Sequence, residues 1–128
     1  MKKYDVVGVG LNIIDLLFIS PENVVADGKQ FVEDFVMQGG APIGSAVSAI
    51  ARMGYKAAFA ARMDNSALSS IARSELRSNN ISDDLVITDS KSKPAIAIVS
   101  IDKKTSGRTV YIGMKDYGFL RKKYIPVE

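Results

Sequence analysis

The sequence predicts an α/β fold in which an open α/β sheet carries a small accessory β-sheet. Three observations support this. The chain begins with a short β-branched run, Tyr4 to Gly10, which ends in glycines as a buried strand does. Its middle alternates strand-like and helix-like segments, and from Leu85 onward only strand-like segments follow. This order, which ends in antiparallel strands, is typical of an open α/β sheet with a small accessory β-sheet.

The first half of the accessory sheet is expected between residues 16 and 37. Residues 16–19 are apolar and are predicted to form a strand that a Ser-Pro pair closes. Residues 22–29 are expected to form a loop, with Asp27-Gly28 as its turn. The segment 31–37 mixes apolar and acidic residues, which predicts a short strand with one buried side.

Two helices are predicted, over residues 43–53 and 66–79, on either side of a strand at 57–61. The first follows a Gly-Gly-Ala-Pro break, and Gly54 is expected to end it in the left-handed conformation. Asn65 or Ser66 is expected to cap the second. Apolar residues at helical spacing would form the buried stripes, namely Ile43, Val47 and Ile50 in the first helix and Leu68, Ile71, Ala72 and Leu76 in the second.

Three strands are predicted in the last part of the chain, at residues 85–88, 95–101 and 108–112. The last two flank a polar turn and are expected to form a hairpin. Residues 94–112 would then complete the accessory sheet begun by residues 16–37.

Composition excludes several classes of function. The chain has 128 residues and contains neither cysteine nor histidine, which rules out disulfides, thiol nucleophiles and imidazole catalysis. The net charge of +3 is too small, and the basic residues too scattered, for a nucleic-acid groove. No apolar run is long enough to cross a membrane, and the N-terminus does not resemble a signal peptide. We therefore expect a cytoplasmic protein that binds neither nucleic acid nor a membrane.

The early glycines also permit a dinucleotide-binding interpretation. Gly8-Val9-Gly10 supplies the first two glycines of G-x-G-x-x-G, but Ile13 occupies the third position. The fingerprint also requires a helix immediately after the glycines, whereas a second strand is predicted here. The sequence contains no G-x-x-x-x-G-K-[ST] phosphate loop either. A nucleotide-binding α/β protein of this kind is the least favoured of the hypotheses.

A more informative pair of segments surrounds Asp15 and the glycine pair Gly39-Gly40. Asn12 and Asp15 follow the first buried strand at its carboxyl end, where open α/β sheets bind ligands. The two glycines lead into a helix N-terminus, so backbone N–H groups can approach a polar ligand closely. A carboxylate facing amide donors suits the vicinal hydroxyls of a sugar. The alternative is that Asp15 caps a turn and the glycines only turn the chain.

Taken together, these segments resemble the ribokinase-like (PfkB) carbohydrate kinases. Members of that family begin with a strand and a G-x-N/x-x-x-D segment, followed by a G-G-x-x-x-N-x-A helix start and A-x-A-R-x-G. The last of these is matched by residues 49–54, and residues 39–42 look like the fructokinase-type glycine segment. Residues 94–97 echo the family's T-G-x-A lid strand, and residues 108–110 resemble the strand after it. The resemblance covers essentially the whole chain and implies a partial ribokinase-like open α/β sheet with a β-sheet lid.

The resemblance also implies a site for a sugar or nucleoside. Asp15 would bind sugar hydroxyls, and Asn12 would assist. Gly39 and Gly40 would supply close backbone contacts. An apolar cover over the bound sugar would come from two residues of the accessory sheet, Ala97 and Val99. Ordinary packing of the sheet is the alternative role for these last two.

The chain departs from the family pattern at several points. Gly44 occupies the position of the family's asparagine at the start of the first helix, so one side-chain contact to the sugar is absent. Residues 63–66 replace the family's G-D/x-D segment. Residues 113–116 stand in place of its G-A-N segment and are not a catalytic motif.

The largest departure concerns phosphate transfer. In the family a G-A-G-D segment supplies the general base and an anion hole at a helix start, and no G-x-G-D occurs here. The resemblance implies ATP and Mg²⁺ as cofactors of the complete enzyme, with none bound by this chain. Residues 1–128 would be the N-terminal portion of a ribokinase-like domain without its C-terminal ATP-binding portion. Alone, this portion would be catalytically incompetent.

Three hypotheses follow for function. The chain is the sugar-binding part of a carbohydrate kinase, a stand-alone sugar-binding or lid-dimerisation module, or an unrelated nucleotide-binding protein. Ligand binding by the isolated chain would favour the second, and binding of NAD or ATP the third. A homodimer through the lid or an exposed sheet edge is a further expectation.

Overall fold

The computed structural model describes residues 3–125, which fold into two sheets and two α-helices. In chain order the elements are β1 (Val6–Val9), β2 (Ile13–Ile19), β3 (Phe35–Gly40), α1 (Pro42–Arg52), β4 (Ala57–Met63), α2 (Ala67–Ser78), β5 (Ile81–Ser82), β6 (Val86–Thr88), β7 (Ala95–Ile101) and β8 (Arg108–Gly113). A short 3₁₀ turn, Lys122–Tyr124, lies near the end of the described chain. The predicted fold class, an α/β fold with a second, accessory sheet, is confirmed.

The main sheet is parallel and is built around β4. This strand lies between β1 and β5 and also pairs with β6. Its alanines have weak strand propensity, but here they are buried and allow close packing of neighbouring elements. The core joins β4 to both helices through buried apolar side chains, including those of Val47, Ala51, Phe59, Ala72 and Leu76.

The second sheet, which we call the lid sheet, has the strand order β3-β2-β7-β8. β7 and β8 form the expected antiparallel hairpin, and β3 is antiparallel to β2. The central pair, β2 with β7, is parallel. The antiparallel pattern predicted for the last strands of the chain holds for β7 with β8, and the parallel pairing of β2 with β7 was not predicted. A parallel pair needs a long crossover connection between its strands. Here the connection contains both helices and the main-sheet strands β4, β5 and β6.

The start of β2 joins the two sheets. Ile14 is fully buried in the same apolar cluster as Phe59 of the main sheet. Its neighbour Ile13 points to the opposite face and packs in the lid sheet's own cluster with Ala95, Ala97 and Val99. Because successive residues of one strand enter different cores, the lid sheet is anchored at this point.

Two of the lid strands, β2 and β3, begin at positions other than those predicted, whereas β7 and β8 begin at the predicted residues. β2 starts at Ile13 rather than at residue 16, so Asp15 lies within a strand and not in a turn. β3 starts at Phe35, where the Asp34 carbonyl accepts the N–H of Ile19 at 3.2 Å. Phe31, which was expected in this strand, is 99% exposed. The strand also runs on to Gly40, so the glycine pair ends a lid strand before α1 begins.

Both helices lie within one residue of the predicted bounds. Of the two candidate caps for α2, Ser66 fills the role, since its Oγ accepts the N–H of Ser69 at 3.3 Å. Gly54 follows α1 with φ of 93°, the left-handed conformation that glycine adopts without strain. Within residues 3–125 no helix has the length and apolar character needed to cross a membrane.

Candidate functional site

Asp15 lies in the middle of the lid sheet, on the second strand from its edge. It is directly opposite Gln38 of β3 and Ala97 of β7. Residues opposite one another in a sheet point to the same face. The carboxylate, an amide and a small apolar side chain therefore form one row across this face.

Gly40 makes room for the Asp15 side chain. A Cβ atom at position 40 would lie 2.7 Å from Cγ of Asp15, and closer still to Oδ2. Such separations lie well inside van der Waals contact, so any larger residue would displace the carboxyl group. The glycine was expected to allow close approach of a ligand to the backbone. In the structure its most direct effect is to place the carboxylate beside the end of β3.

The Asp15 carboxylate is half-buried, and none of the described residues donates a hydrogen bond to it. Burial removes water from around this group and raises the pKa of Asp15 above its ordinary value. A carboxylate in this position has free acceptor capacity on both oxygens. Chemically, it can accept hydrogen bonds from neutral hydroxyl donors of a small ligand.

Ala97 and Val99 lie on the same face as Asp15 and are almost completely buried. They belong to the apolar cluster of the lid sheet, with Ile13, Leu17 and Ala95 among its members. An apolar concavity of about 210 Å³ lies beside them. Its lining includes Leu17, Ile19, Val36, Gln38 and Ile101. Gln38 places one end of this concavity next to Asp15.

Gly39 faces the other side of the sheet. A Cβ atom there would meet Glu75 of α2, with Oε2 at 3.2 Å. Glu75 Oε2 also accepts the N–H of Gly39, at 3.1 Å, so this amide is already bound within the protein. Sequence reasoning did not identify Glu75, which sits among the polar residues of α2 and carries no motif. Only the tertiary pairing of α2 with the end of β3 shows its role.

Asn12 lies apart from the Asp15 carboxylate, against the helices. Asn12 is 6% exposed and lines a small cavity together with Gly39, Gly44 and Glu75. Its backbone N–H donates to the Tyr117 hydroxyl at 3.1 Å, and this hydroxyl donates in turn to the carbonyl of Gly10 at 3.2 Å. Burial raises the pKa of Tyr117. The site residues predicted from the sequence thus lie on two different sides of the lid sheet. Asp15, Gly40, Ala97 and Val99 are on one side, and Asn12 and Gly39 face the helices on the other.

The glycines of the first strand serve packing. A Cβ at Gly10 would lie 2.7 Å from Cγ1 of Ile43, and one at Gly8 would lie 3.1 Å from Phe59. The chain continues from Gly10 into strand β2 and not into a helix. This geometry lacks the helix N-terminus on which a dinucleotide pyrophosphate would rest.

The family models and the curated proteins contain no match to this sequence. Among solved structures, the chain is similar to a putative ribokinase from Agrobacterium tumefaciens, with a TM-score of 0.73 and 19% identity over 84% of this chain and 35% of that one. It is similar to Arabidopsis thaliana ribokinase, solved with ribose and ATP, with a TM-score of 0.74 and 14% identity over 88% and 36%. It is also similar to a Xylella fastidiosa fructokinase with bound ATP, with a TM-score of 0.73 and 17% identity over 97% and 37%.

At these identities the similarity concerns the fold. The chain spans about a third of the length of the structures it matches, while they cover most of this chain. The resemblance to ribokinase-like sugar kinases predicted from the motifs is confirmed at the level of structure. The chain has the fold of one part of a ribokinase-like (PfkB-type) sugar kinase: part of the α/β sheet together with a β-sheet lid.

Proposed function

We propose that this chain is the sugar-binding part of an ATP-dependent carbohydrate kinase. In its complete form the enzyme transfers the γ-phosphate of ATP to a hydroxyl of a sugar or nucleoside. The observation that carries this proposal is the Asp15 carboxylate, which is half-buried, unpaired among the described residues and set beside a glycine that makes room for it. Similarity in fold to a ribokinase solved with ribose and ATP supports the same substrate class.

Each predicted site residue has a role in this proposal. Asp15 accepts hydrogen bonds from the sugar hydroxyls, and Gly40 keeps the carboxylate in position. Ala97 and Val99 form the apolar wall on the same face. Asn12 and Gly39 face the helices and not the Asp15 side of the lid sheet, so we assign them an indirect contribution through the position of β3.

ATP and Mg²⁺ belong to the complete enzyme in this account. Residues 3–125 include no group of three or more acidic, histidine or cysteine side chains arranged to hold a metal ion. The sequence also contains neither a phosphate loop nor a G-x-G-D segment. We therefore derive no phosphoryl-transfer step through this chain.

Binding and turnover can be tested separately. Ribose and fructose are titrated into the protein as its gene encodes it, and ADP release is measured with ATP, Mg²⁺ and each sugar. We expect a reading frame that continues into a G-A-G-D segment, and turnover of at least one sugar. A protein that binds no sugar across a broad panel would contradict the proposal.

A lid-dimerisation module is the second candidate function, and one surface feature favours it. A row of apolar side chains crosses the lid sheet on the face opposite Asp15: Met37, Leu16, Ile98 and Tyr111. Three of these are exposed, and Phe35 lies next to the row. Apolar patches of this kind mark interaction sites on soluble proteins. A second copy of the chain, related by a two-fold axis, would cover the row with an identical one.

A further inference from the structure

The face of the lid sheet that carries Asp15 has a second polar residue, Gln38. The two are directly opposite one another on β2 and β3. By the alternation of the strands, every other residue that β2, β3 and β7 place on this face is glycine, alanine, valine, leucine or isoleucine. The carboxylate and the amide therefore form one polar spot on an otherwise apolar surface. None of the roles assigned above involves the Gln38 amide.

The two glycines that follow Gln38 show on which face its side chain begins. A Cβ at Gly40, two residues along β3, would meet the Asp15 carboxyl group. A Cβ at Gly39, between them, would meet Glu75 on the other face. Gln38 belongs to the edge strand and also borders the cleft on the helix side, but its Cβ shares the face of Gly40 by alternation. Its side chain is exposed there and can reach a ligand of Asp15.

The Gln38 amide is free to bind a ligand. None of the hydrogen bonds among the described residues uses it, whereas both ends of the Gln30 amide are bound within a loop. Gln30 is the only other glutamine of the chain: its Oε1 accepts the N–H of Val25 at 2.8 Å, and its Nε2 donates to the carbonyl of Asn23 at 2.6 Å. Gln38 therefore retains both its donor and its acceptor capacity.

The spacing of the two side chains suits a single bridging hydroxyl. Cβ atoms of residues directly opposite one another in a sheet lie about 4.5–5.5 Å apart. Two hydrogen bonds of about 2.8 Å that share one oxygen atom join groups up to about 5.6 Å apart. An ionised carboxylate only accepts hydrogen bonds, whereas an amide nitrogen donates them. A hydroxyl between the two can therefore donate to Asp15 and accept from Nε2 of Gln38.

The row across the sheet also matches the shape of a sugar ring. It runs from Gln38 through Asp15 to Ala97, so it is polar at its β3 end and apolar at its β7 end. A sugar ring has hydroxyls along its edge and C–H groups on its faces. With one hydroxyl between the polar pair, the C–H groups would lie over Ala97. The row thus accommodates both kinds of surface that a sugar presents.

We propose that Gln38 is a specificity-determining residue of the sugar site: one sugar hydroxyl accepts a hydrogen bond from Gln38 Nε2 and donates one to Asp15. This inference rests on the proposed function and deepens it. The site selects a sugar that presents a hydroxyl at this position. A sugar without that hydroxyl leaves the carboxylate and the amide without a bridging group, and it loses both hydrogen bonds.

The test compares Gln38→Met, which keeps the length of the side chain and removes the amide, with Gln30→Met, the same change away from the site. Ribose and fructose are titrated into the protein as its gene encodes it, and the sugar that binds better is compared with its monodeoxy derivatives. We expect Gln38→Met to bind the intact sugar about two- to tenfold more weakly than the parent, because one hydrogen bond between neutral groups is lost. For the derivative that lacks the bridging hydroxyl, the variant and the parent should bind alike. Gln30→Met should match the parent with every sugar.

The outcomes separate the role of Gln38 from the proposed function. A parent protein that binds no sugar refutes the proposed function, and the role of Gln38 falls with it. If the parent binds sugar and a folded Gln38→Met variant binds it equally well, only the role of Gln38 is refuted. An equal loss for the intact sugar and for every derivative refutes it as well, because the substitution would then act through the sheet and not through one hydroxyl.

Discussion

Gly40→Ala tests whether the end of β3 positions the Asp15 carboxylate. The new Cβ would lie 2.7 Å from Cγ of Asp15, whereas ordinary contact begins near 3.4 Å. The carboxyl carbon must therefore move by about 0.7 Å, or the side chain must rotate away. A sugar held by the original geometry would lose a hydrogen bond to a charged group, worth about 1.5–3 kcal/mol. Since about 1.4 kcal/mol corresponds to a factor of ten, we expect binding to weaken roughly ten- to a hundredfold.

The same substitution should change stability much less than affinity. The group that yields is the end of a partly exposed side chain, and an off-rotamer side chain costs about 0.5–1.5 kcal/mol. Alanine also restricts the unfolded chain, which stabilises by about 0.4–1 kcal/mol where the backbone conformation permits it. Gly40 has no positive φ, so this condition is met.

Titration calorimetry with ribose and fructose measures the affinity, and thermal unfolding followed by circular dichroism measures stability. Gly28→Ala is the matched control, because a Cβ at that loop position meets Val25 at an ordinary distance of 3.6 Å. It should leave both quantities unchanged. A folded Gly40→Ala variant that binds sugar as tightly as the parent would refute the reasoning, because the carboxylate would then be free to move without consequence.

Three further predictions concern catalysis, pH and assembly. The 128-residue chain alone, with ATP, Mg²⁺ and a sugar panel, should release no ADP above background, and turnover by the pure chain would contradict its proposed role. Burial raises the pKa of Asp15. When the solution is acidified, sugar affinity should therefore begin to fall at a higher pH than it would with a fully exposed aspartate at this position. Asp15→Asn should bind sugar weakly and without this pH dependence. If the affinity of that variant kept the pH dependence of the parent, a group other than Asp15 would be responsible for it. Light scattering should show a dimer that Tyr111→Ser dissociates, and a monodisperse parent monomer at high concentration would exclude the lid contact.

The sequence predicted the elements well where local patterns are strong. Both helices have apolar stripes at helical spacing and clear end signals, so their bounds are correct to within one residue. The β7–β8 hairpin follows from two strand-like segments on either side of a polar turn. These features depend on neighbours in sequence.

Two features of the lid sheet could not be predicted from the sequence, namely the pairing of its central strands and the first residue of β2. The parallel pairing of β2 with β7 joins residues about eighty positions apart, and no local signal specifies it. The start of β2 was missed because Ile13 and Ile14 are buried in two different cores, a pattern that does not resemble an amphipathic strand. A continuous apolar run gives no periodicity by which to place its first residue.

The sequence motifs suggested the candidate site residues, but they did not give the arrangement of these residues in space. The motifs suggested Asp15 and Gly40 as parts of one site, and the two residues are neighbours in the structure. Asn12 and Gly39 belong to the same motifs, yet they face the helices on the other side of the sheet. Alternation along β3 separates Gly39 from Gly40, and this could be inferred only once the glycines were known to lie in a strand.

The most direct test of the proposed function is Asp15→Ala in the protein as its gene encodes it. Sugar and ATP are titrated separately into the parent and the variant, with folding checked by circular dichroism. We expect sugar binding to weaken by roughly ten- to a hundredfold or more, because a charged acceptor of hydroxyl hydrogen bonds is lost. ATP affinity should barely change, because no residue of the proposed sugar site serves the nucleotide. A folded Asp15→Ala variant that binds sugar as well as the parent would contradict the account and leave Asp15 as a strand residue without a ligand.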